Sequence, residues 1–191
     1  MLRRIQRSIM RVAVVFATSM AVIGAGVTVA SSAGAATIYP YSYGPIVNAN
    51  SGQCLAVWGG AMRADQPAVQ WPCIDSPDQD WSFYPISGDP NWYQIHDLKD
   101  PSYCLSSSAP SGLEGLELMI ELCNSSSPDE YFKPTQVAAT GDWVLTSGEG
   151  GLVAAVNGAS TSPGAAVIGW QNQVVNGSHL EQQWDPIYYL T

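Results

Sequence analysis

Gln79-Asp80-Trp81 recurs downstream as Glu130-Tyr131-Phe132 and again as Gln182-Gln183-Trp184, at intervals of fifty-one and fifty-two residues. A fixed period of this size marks a chain built from repeats, which sets the architecture before local propensity is considered. Each triplet is preceded by a shared opening: Ser51-Gly52-Gln53-Cys54-Leu55-Ala56, Pro101-Ser102-Tyr103-Cys104-Leu105-Ser106 and Glu149-Gly150-Gly151-Leu152-Val153-Ala154. Cys54 and Cys73 are nineteen positions apart, as are Cys104 and Cys123. The third copy has neither cysteine; aligned on Ala166-Val167-Ile168-Gly169-Trp170-Gln171, it carries Asn172 where Cys73 and Cys123 stand. Joint loss of both positions supports pairing of Cys54 with Cys73 and of Cys104 with Cys123. Closing each loop contributes about 3 kcal/mol in the chain-entropy picture.

Between these landmarks lie short runs rich in β-branched and aromatic residues, among them Ile46-Val47, Trp92-Tyr93-Gln94-Ile95-His96 and Trp143-Val144-Leu145. Turn formers separate them, as at Ser87-Gly88-Asp89-Pro90, Asp100-Pro101-Ser102, Thr140-Gly141-Asp142 and Ser147-Gly148-Glu149-Gly150. Short strands at regular spacing, with no amphipathic helical run after the N-terminal segment, predict an all-β fold.

The N-terminus is of another kind. Arg3, Arg4, Arg7 and Arg11 precede an apolar run from Val12 to Ala30, and Ser31-Ser32-Ala33-Gly34-Ala35-Ala36 follows. Basic start, apolar middle and small-residue end predict a signal peptide over residues 1–35, cleaved after Ala35. The alternative is a retained anchor, since the apolar run approaches the thickness of a bilayer. Cleavage would leave a short extension, residues 36–42, before a single domain at 43–188 with repeats near 43–90, 91–139 and 140–188. Three cations, Arg63, Lys99 and Lys133, would then face sixteen acids, a net charge of −13. Such a surface has no footprint for nucleic acid or for anionic lipid, so no membrane insertion follows leader removal. Export also suits four cysteines as disulfides, and a secreted monomer is expected.

These residues resemble the ricin B-type, or Q-x-W, lectin domain, a β-trefoil of three repeats about a pseudo-threefold axis. The first repeat carries the resemblance at Gln53-Cys54-Leu55-Ala56-Val57, Trp71-Pro72-Cys73 and Gln79-Asp80-Trp81. The resemblance implies that Trp81, Phe132 and Trp184 pack in a shared core while Gln79, Glu130 and Gln182 brace the hairpins. It also implies carbohydrate or a glycoconjugate as partner, bound where an Asp after C-L, an aromatic before the second Cys and an Asn after it converge. The Asp is missing: Ala56, Ser106 and Ala154 hold its positions. The aromatic survives as Trp71 and Trp170 but is Glu121 in the second repeat, where the Asn is present as Asn124. A hydrogen bond to a charged acceptor contributes about 1.5–3 kcal/mol, so an uncompensated loss weakens a site roughly ten- to a hundredfold.

The third repeat is therefore the first candidate, with Trp170 as platform and Asn157, Asn172 and Gln173 as polar partners. The first follows, with Trp71 and Asp75. For both tryptophans core packing is the competing reading. A protein target, such as a protease bound by loops over vestigial sugar sites, is the competing function, and a ligand-free structural protein is a third.

No catalytic residues, cofactor or metal are predicted. His96 and His179 are the two histidines, and neither stands in a nucleophile motif or at a zinc-finger spacing. Asp75, Asp78 and Asp80 lack the glycine and terminal glutamate of a hand-type calcium loop. Asn124-Ser125-Ser126 and Asn176-Gly177-Ser178 fit the N-glycosylation pattern.

Overall fold

The computed structural model describes Ile38, residues 40–107 and residues 112–186. The segment read as a signal peptide and the last residues of the third repeat lie outside them. Among the described residues there are twelve strands and no α-helix: β1 (Tyr43–Asn48), β2 (Cys54–Val57), β3 (Gln66–Trp71), β4 (Asp80–Ile86), β5 (Asp89–Asp97), β6 (Tyr103–Ser106), β7 (Met119–Leu122), β8 (Tyr131–Gln136), β9 (Trp143–Ser147), β10 (Val153–Val156), β11 (Val167–Trp170) and β12 (Trp184–Pro186).

Four strands belong to each repeat. The first and last of every four form a closed antiparallel circuit: β1 pairs with β4, β4 with β5, β5 with β8, β8 with β9, β9 with β12, and β12 returns to β1. Closure leaves no unpaired edge in this six-stranded barrel. The middle strands make hairpins β2–β3, β6–β7 and β10–β11, which meet at the axis. There the Ala68 amide donates to the Leu118 carbonyl and the Leu118 amide to that of Val167, both at 2.8 Å. The fold is a β-trefoil.

The triplet aromatics fill the barrel: Trp81, Phe132 and Trp184 are at most 1% exposed, packed with Phe83, Ile95 and Leu145. Indole N–H groups need an acceptor when buried. Trp81 Nε1 donates to the Leu55 carbonyl at 3.0 Å and Trp184 Nε1 to that of Ala154 at 2.9 Å. Each triplet thus bonds its barrel strand to its own hairpin, while Phe132 does so by packing alone. The triplet Gln braces the loop after the second cysteine position from both ends of its amide. Gln79 accepts from the Ile74 amide and donates to the Pro72 carbonyl, both at 2.9 Å; Gln182 does the same with Gln173 and Gln171. Glu130 has no amide to donate; it accepts from the Asn124 amide and from Gln94 Nε2.

Disulfides join Cys54 to Cys73 and Cys104 to Cys123. Pairing registers correct the third repeat by one residue. Trp71 stands opposite Cys54, and Trp170 stands opposite Val153, not Leu152. Leu152 instead takes the place of Gln53, where it packs against Gly169. The position after C-L in the third repeat is therefore Ala155 and not Ala154. Strand β5 also begins inside the turn expected at 87–90, because Ile86 pairs with Asp89 across Ser87-Gly88. Within residues 36–42, Ile38 is 8% exposed in the core and the Tyr41 amide donates to the Phe83 carbonyl.

Asn48, Asp97 and Ser147 end the first strand of their repeats, and each accepts from backbone amides of the following turn. Asn48 Nδ2 also donates to the carbonyls of Glu181 and Gln183. Asp97, 0% exposed, has a carboxylate oxygen in place of that donor, and its Oδ2 has no hydrogen-bond partner among the described residues. Burial above all pushes its carboxyl up to about 7, with the Asp78 charge adding to the rise and the Lys99 and Asp100 amides opposing it. The folded state thus holds a proton that the unfolded chain releases near 3.8. Stability from this group is complete below pH 4, is lost as pH rises toward 7, and is constant above.

Two outcomes follow. Asp97→Asn restores the amide donor and is expected to raise Tm at pH 7.5 and flatten the Tm profile between about pH 4 and 8, measured by calorimetry. Trp184→Ala is expected to cost about 3–5 kcal/mol in denaturant unfolding, since it removes a buried indole together with its hydrogen bond.

Candidate functional site

Two concave pockets open on the first and third repeats at equivalent positions. In the first, the floor is Ala56 and Val69 and the platform wall is Trp71; in the third these are Ala155, Ile168 and Trp170. Both platform rings are partly exposed, Trp71 by 40%, and they form pocket walls instead of packing in the core. Each pocket is also lined by a short 3-10 turn, Pro77–Gln79 through Asp78 and Gln79 or Leu180–Gln182 through Glu181 and Gln182. Small residues after C-L, Ala56 and Ala155, keep the floor low.

An acid is absent after C-L, but one stands on this turn in each pocket. Asp78 and Glu181, each directly before its triplet Gln, line the two pockets. A neighbour two residues earlier orients each carboxylate: Ser76 Oγ donates to Asp78 Oδ1, and His179 Nδ1 lies 3.0 Å from Glu181 Oε1. Asp129 is the counterpart in the second repeat, accepting from Ser127 Oγ and from Ser106 Oγ. A carboxylate beside an exposed ring supplies hydrogen-bond acceptance and an apolar face together. The signal was readable in sequence: an acid stands immediately before all three triplets.

The predicted residues divide. Trp170, Asn157 and Gln173 converge on the third pocket. Asn172 does not line it; its Oδ1 accepts from the Val174 amide, shaping the turn. In the first pocket Trp71 is joined by Ile74, the counterpart of Gln173, whereas Asp75 is exposed with φ 53° and does not line it. Asp75, with Asp78, instead adds to the effect of burial in raising the carboxyl of Asp80. Asn124 corresponds to Ile74 and Gln173, and its Oδ1 accepts from the Ser126 amide. Residues Trp58, Asp78, Lys99, His179 and Glu181 were not among the predicted ones. Lys99 Nζ donates to the Gly60 carbonyl at 2.7 Å across repeats, the role that Asn50 Nδ2 plays toward Ala159.

The platforms rest on neighbouring repeats. Gly164, with φ +81°, sits where a Cβ would lie 3.0 Å from Trp58 and 3.3 Å from Trp71; Gly115, with φ +82°, similarly abuts Trp170. The equivalent residue facing Glu121 is Asp65, also at positive φ, whose amide donates to the Glu121 carboxylate. Where the platform is a ring the position is Gly, and where it is Glu a side chain fits. Burial chiefly, with Asp65 next, raises the Glu121 carboxyl. His96 stacks on Tyr84 with its Nδ1 2.8 Å from the Pro101 carbonyl, and burial lowers its pKa. Its neighbours Cys104 and Cys123 are bonded to each other, so this grouping is no metal-ligand set.

The sequence profile of the ricin-type β-trefoil lectin domain matches residues 42–184. The chain belongs to the ricin-type β-trefoil lectin family. Among solved structures, the designed threefold-symmetric protein ThreeFoil superposes with a TM-score of 0.68 at 20% identity, covering 78% of this chain and 99% of that one. An exo-β-1,3-galactanase from Clostridium thermocellum gives 0.68 at 23% identity over 80% of this chain, which spans 31% of the galactanase. The Rhizoctonia solani agglutinin gives 0.67 at 13% identity, covering 81% and 100%. A comparison with curated proteins finds no match. At these identities the likeness is one of fold.

Gly164→Ala is expected to displace the Trp58 and Trp71 rings and to cost about 1–2 kcal/mol through its left-handed backbone. Tryptophan fluorescence and thermal unfolding check both effects.

Proposed function

We propose that this protein is a secreted lectin that acts by binding carbohydrate without catalysis, through the first and third repeats. The observation that carries the reading is a partly exposed Trp and an oriented carboxylate lining one pocket with a small-residue floor, built twice at equivalent positions. A pyranose presents an apolar face of C–H groups to the ring and a fringe of hydroxyls that donate to Asp78 or Glu181. The acid on the turn replaces the one absent after C-L, so the sites have changed the wall that supplies charge. Around Glu121 the stacking face is gone, which leaves the second repeat a supporting part.

Support for export comes from two disulfides, which persist in oxidising compartments. No helix of the described residues is long and apolar enough to cross a membrane.

A glycan array followed by NMR titration tests the proposal. Saturable binding with dissociation constants near millimolar is expected, and no binding of any glycan at that concentration refutes it. Trp71→Ala and Trp170→Ala should each abolish shifts in their own pocket and leave the other intact. Asp78→Ala or Glu181→Ala should weaken the corresponding pocket about ten- to a hundredfold.

A further inference from the structure

The two pockets share their floor, platform and acid but differ along the rim. Where the third has Asn157 and Gln173, the first has Trp58 and Ile74. Trp58 is 49% exposed and Ile74 63%, and together with Trp71 they line one pocket, so they form an exposed apolar patch of the kind that marks a binding surface and not scattered single residues. Trp58 and Trp71 stand at 89° with centroids 6.3 Å apart, and their six-membered edges converge on Gly164. The first pocket therefore contains an aromatic corner with two perpendicular rings, and Asp78 is part of the same lining.

A ligand filling such a corner needs an apolar face for one wall, an apolar group projecting from its edge toward the other, and a donor for the carboxylate. A plain hexose offers the first and the last, but its edge toward Trp58 carries only hydroxyls, whose desolvation against an indole face is unfavourable. An acetamido substituent supplies what is missing, because its methyl packs on Trp58 while its N–H donates to Asp78. It is also uncharged, which suits a pocket holding both Asp78 and Lys99.

We propose that the first pocket selects N-acetylhexosamines over the parent hexoses, with Trp58 as the specificity-determining residue, and that the third pocket, with Asn157, does not. This rests on the carbohydrate-binding reading and adds a ligand class to one of its two pockets. Burial of the methyl alone favours the acetamido sugar about fivefold.

The full chain carrying Trp170→Ala isolates the first pocket, and the chain carrying Trp71→Ala isolates the third. N-acetylglucosamine with glucose, and N-acetylgalactosamine with galactose, are titrated against both by NMR, with a 6-deoxyhexose as a further arm. The proposal expects at least one N-acetyl sugar to bind the first pocket about fivefold or more tightly than its parent, and the ratio in the third to be near one. Adding Trp58→Asn to the Trp170→Ala chain should bring the first pocket's ratio to about one. A ratio near one in the first pocket, an equal preference in the third, or a preference that survives Trp58→Asn overturns the inference and leaves the lectin reading in place. A 6-deoxyhexose binding as tightly as the N-acetyl sugars overturns the acetamido assignment. If no sugar binds either pocket, the lectin reading itself falls and the inference with it.

Discussion

The structure hangs on the contact between each triplet aromatic and the hairpin above it, a hydrogen bond for Trp81 and Trp184 and packing for Phe132. A buried indole can fill the barrel only if its N–H is satisfied, and the carbonyls of Leu55 and Ala154 satisfy Trp81 and Trp184. The same contact fixes the height of the hairpin over the barrel. It also anchors the 3-10 turn just before the triplet, and with that turn the acid that faces the pocket. Core and pocket lining are thus successive residues of one short segment: Asp78, Gln79, Asp80 and Trp81 in the first repeat, Glu181 to Trp184 in the third.

Pseudo-threefold symmetry means that each position has been solved three times in one chain, and the departures are informative. Phe132 fills its place without an indole donor. Glu130 cannot donate as Gln79 and Gln182 do, and Gln94 supplies a donor to it instead. Asp97 occupies the place of Asn48, where an amide donor is wanted, and a retained proton is the remedy available to a buried carboxyl. Burial is the first cause that raises the carboxyls of Asp80, Asp97, Glu121, Glu130 and Asp185 above their ordinary values. The domain holds acids in places that favour their neutral form.

Coupling between repeats runs through the platforms. Gly164 backs Trp58 and Trp71, and Gly115 backs Trp170, so each ring is supported by a loop of another repeat. Lys99 and Asn50 reach across in the same way to hold the loops that follow β2 and β10. No pocket is the property of its own fifty residues alone.

Sequence by itself determined the repeat, the cysteine pairing, the all-β fold and the pairing of triplet Trp with core, because these depend on period and residue type. It also singled out Trp71, Trp170, Asn157 and Gln173, which the fold places in the pocket linings. It misplaced the third opening by one residue, since Leu152 and Val153 are equally apolar and only pairing against Trp170 distinguishes them. It sought the pocket acid in the position of Ala56; an acid precedes every triplet in the sequence, but only the fold places Asp78 in one pocket with Trp71. Asp75 and Asn172 have suitable chemistry, but a positive φ in one and a local amide bond in the other keep them from lining the pockets. Tertiary structure decided these points because a pocket is made by walls distant in sequence, and which way a polar side chain turns depends on the backbone groups that reach it first.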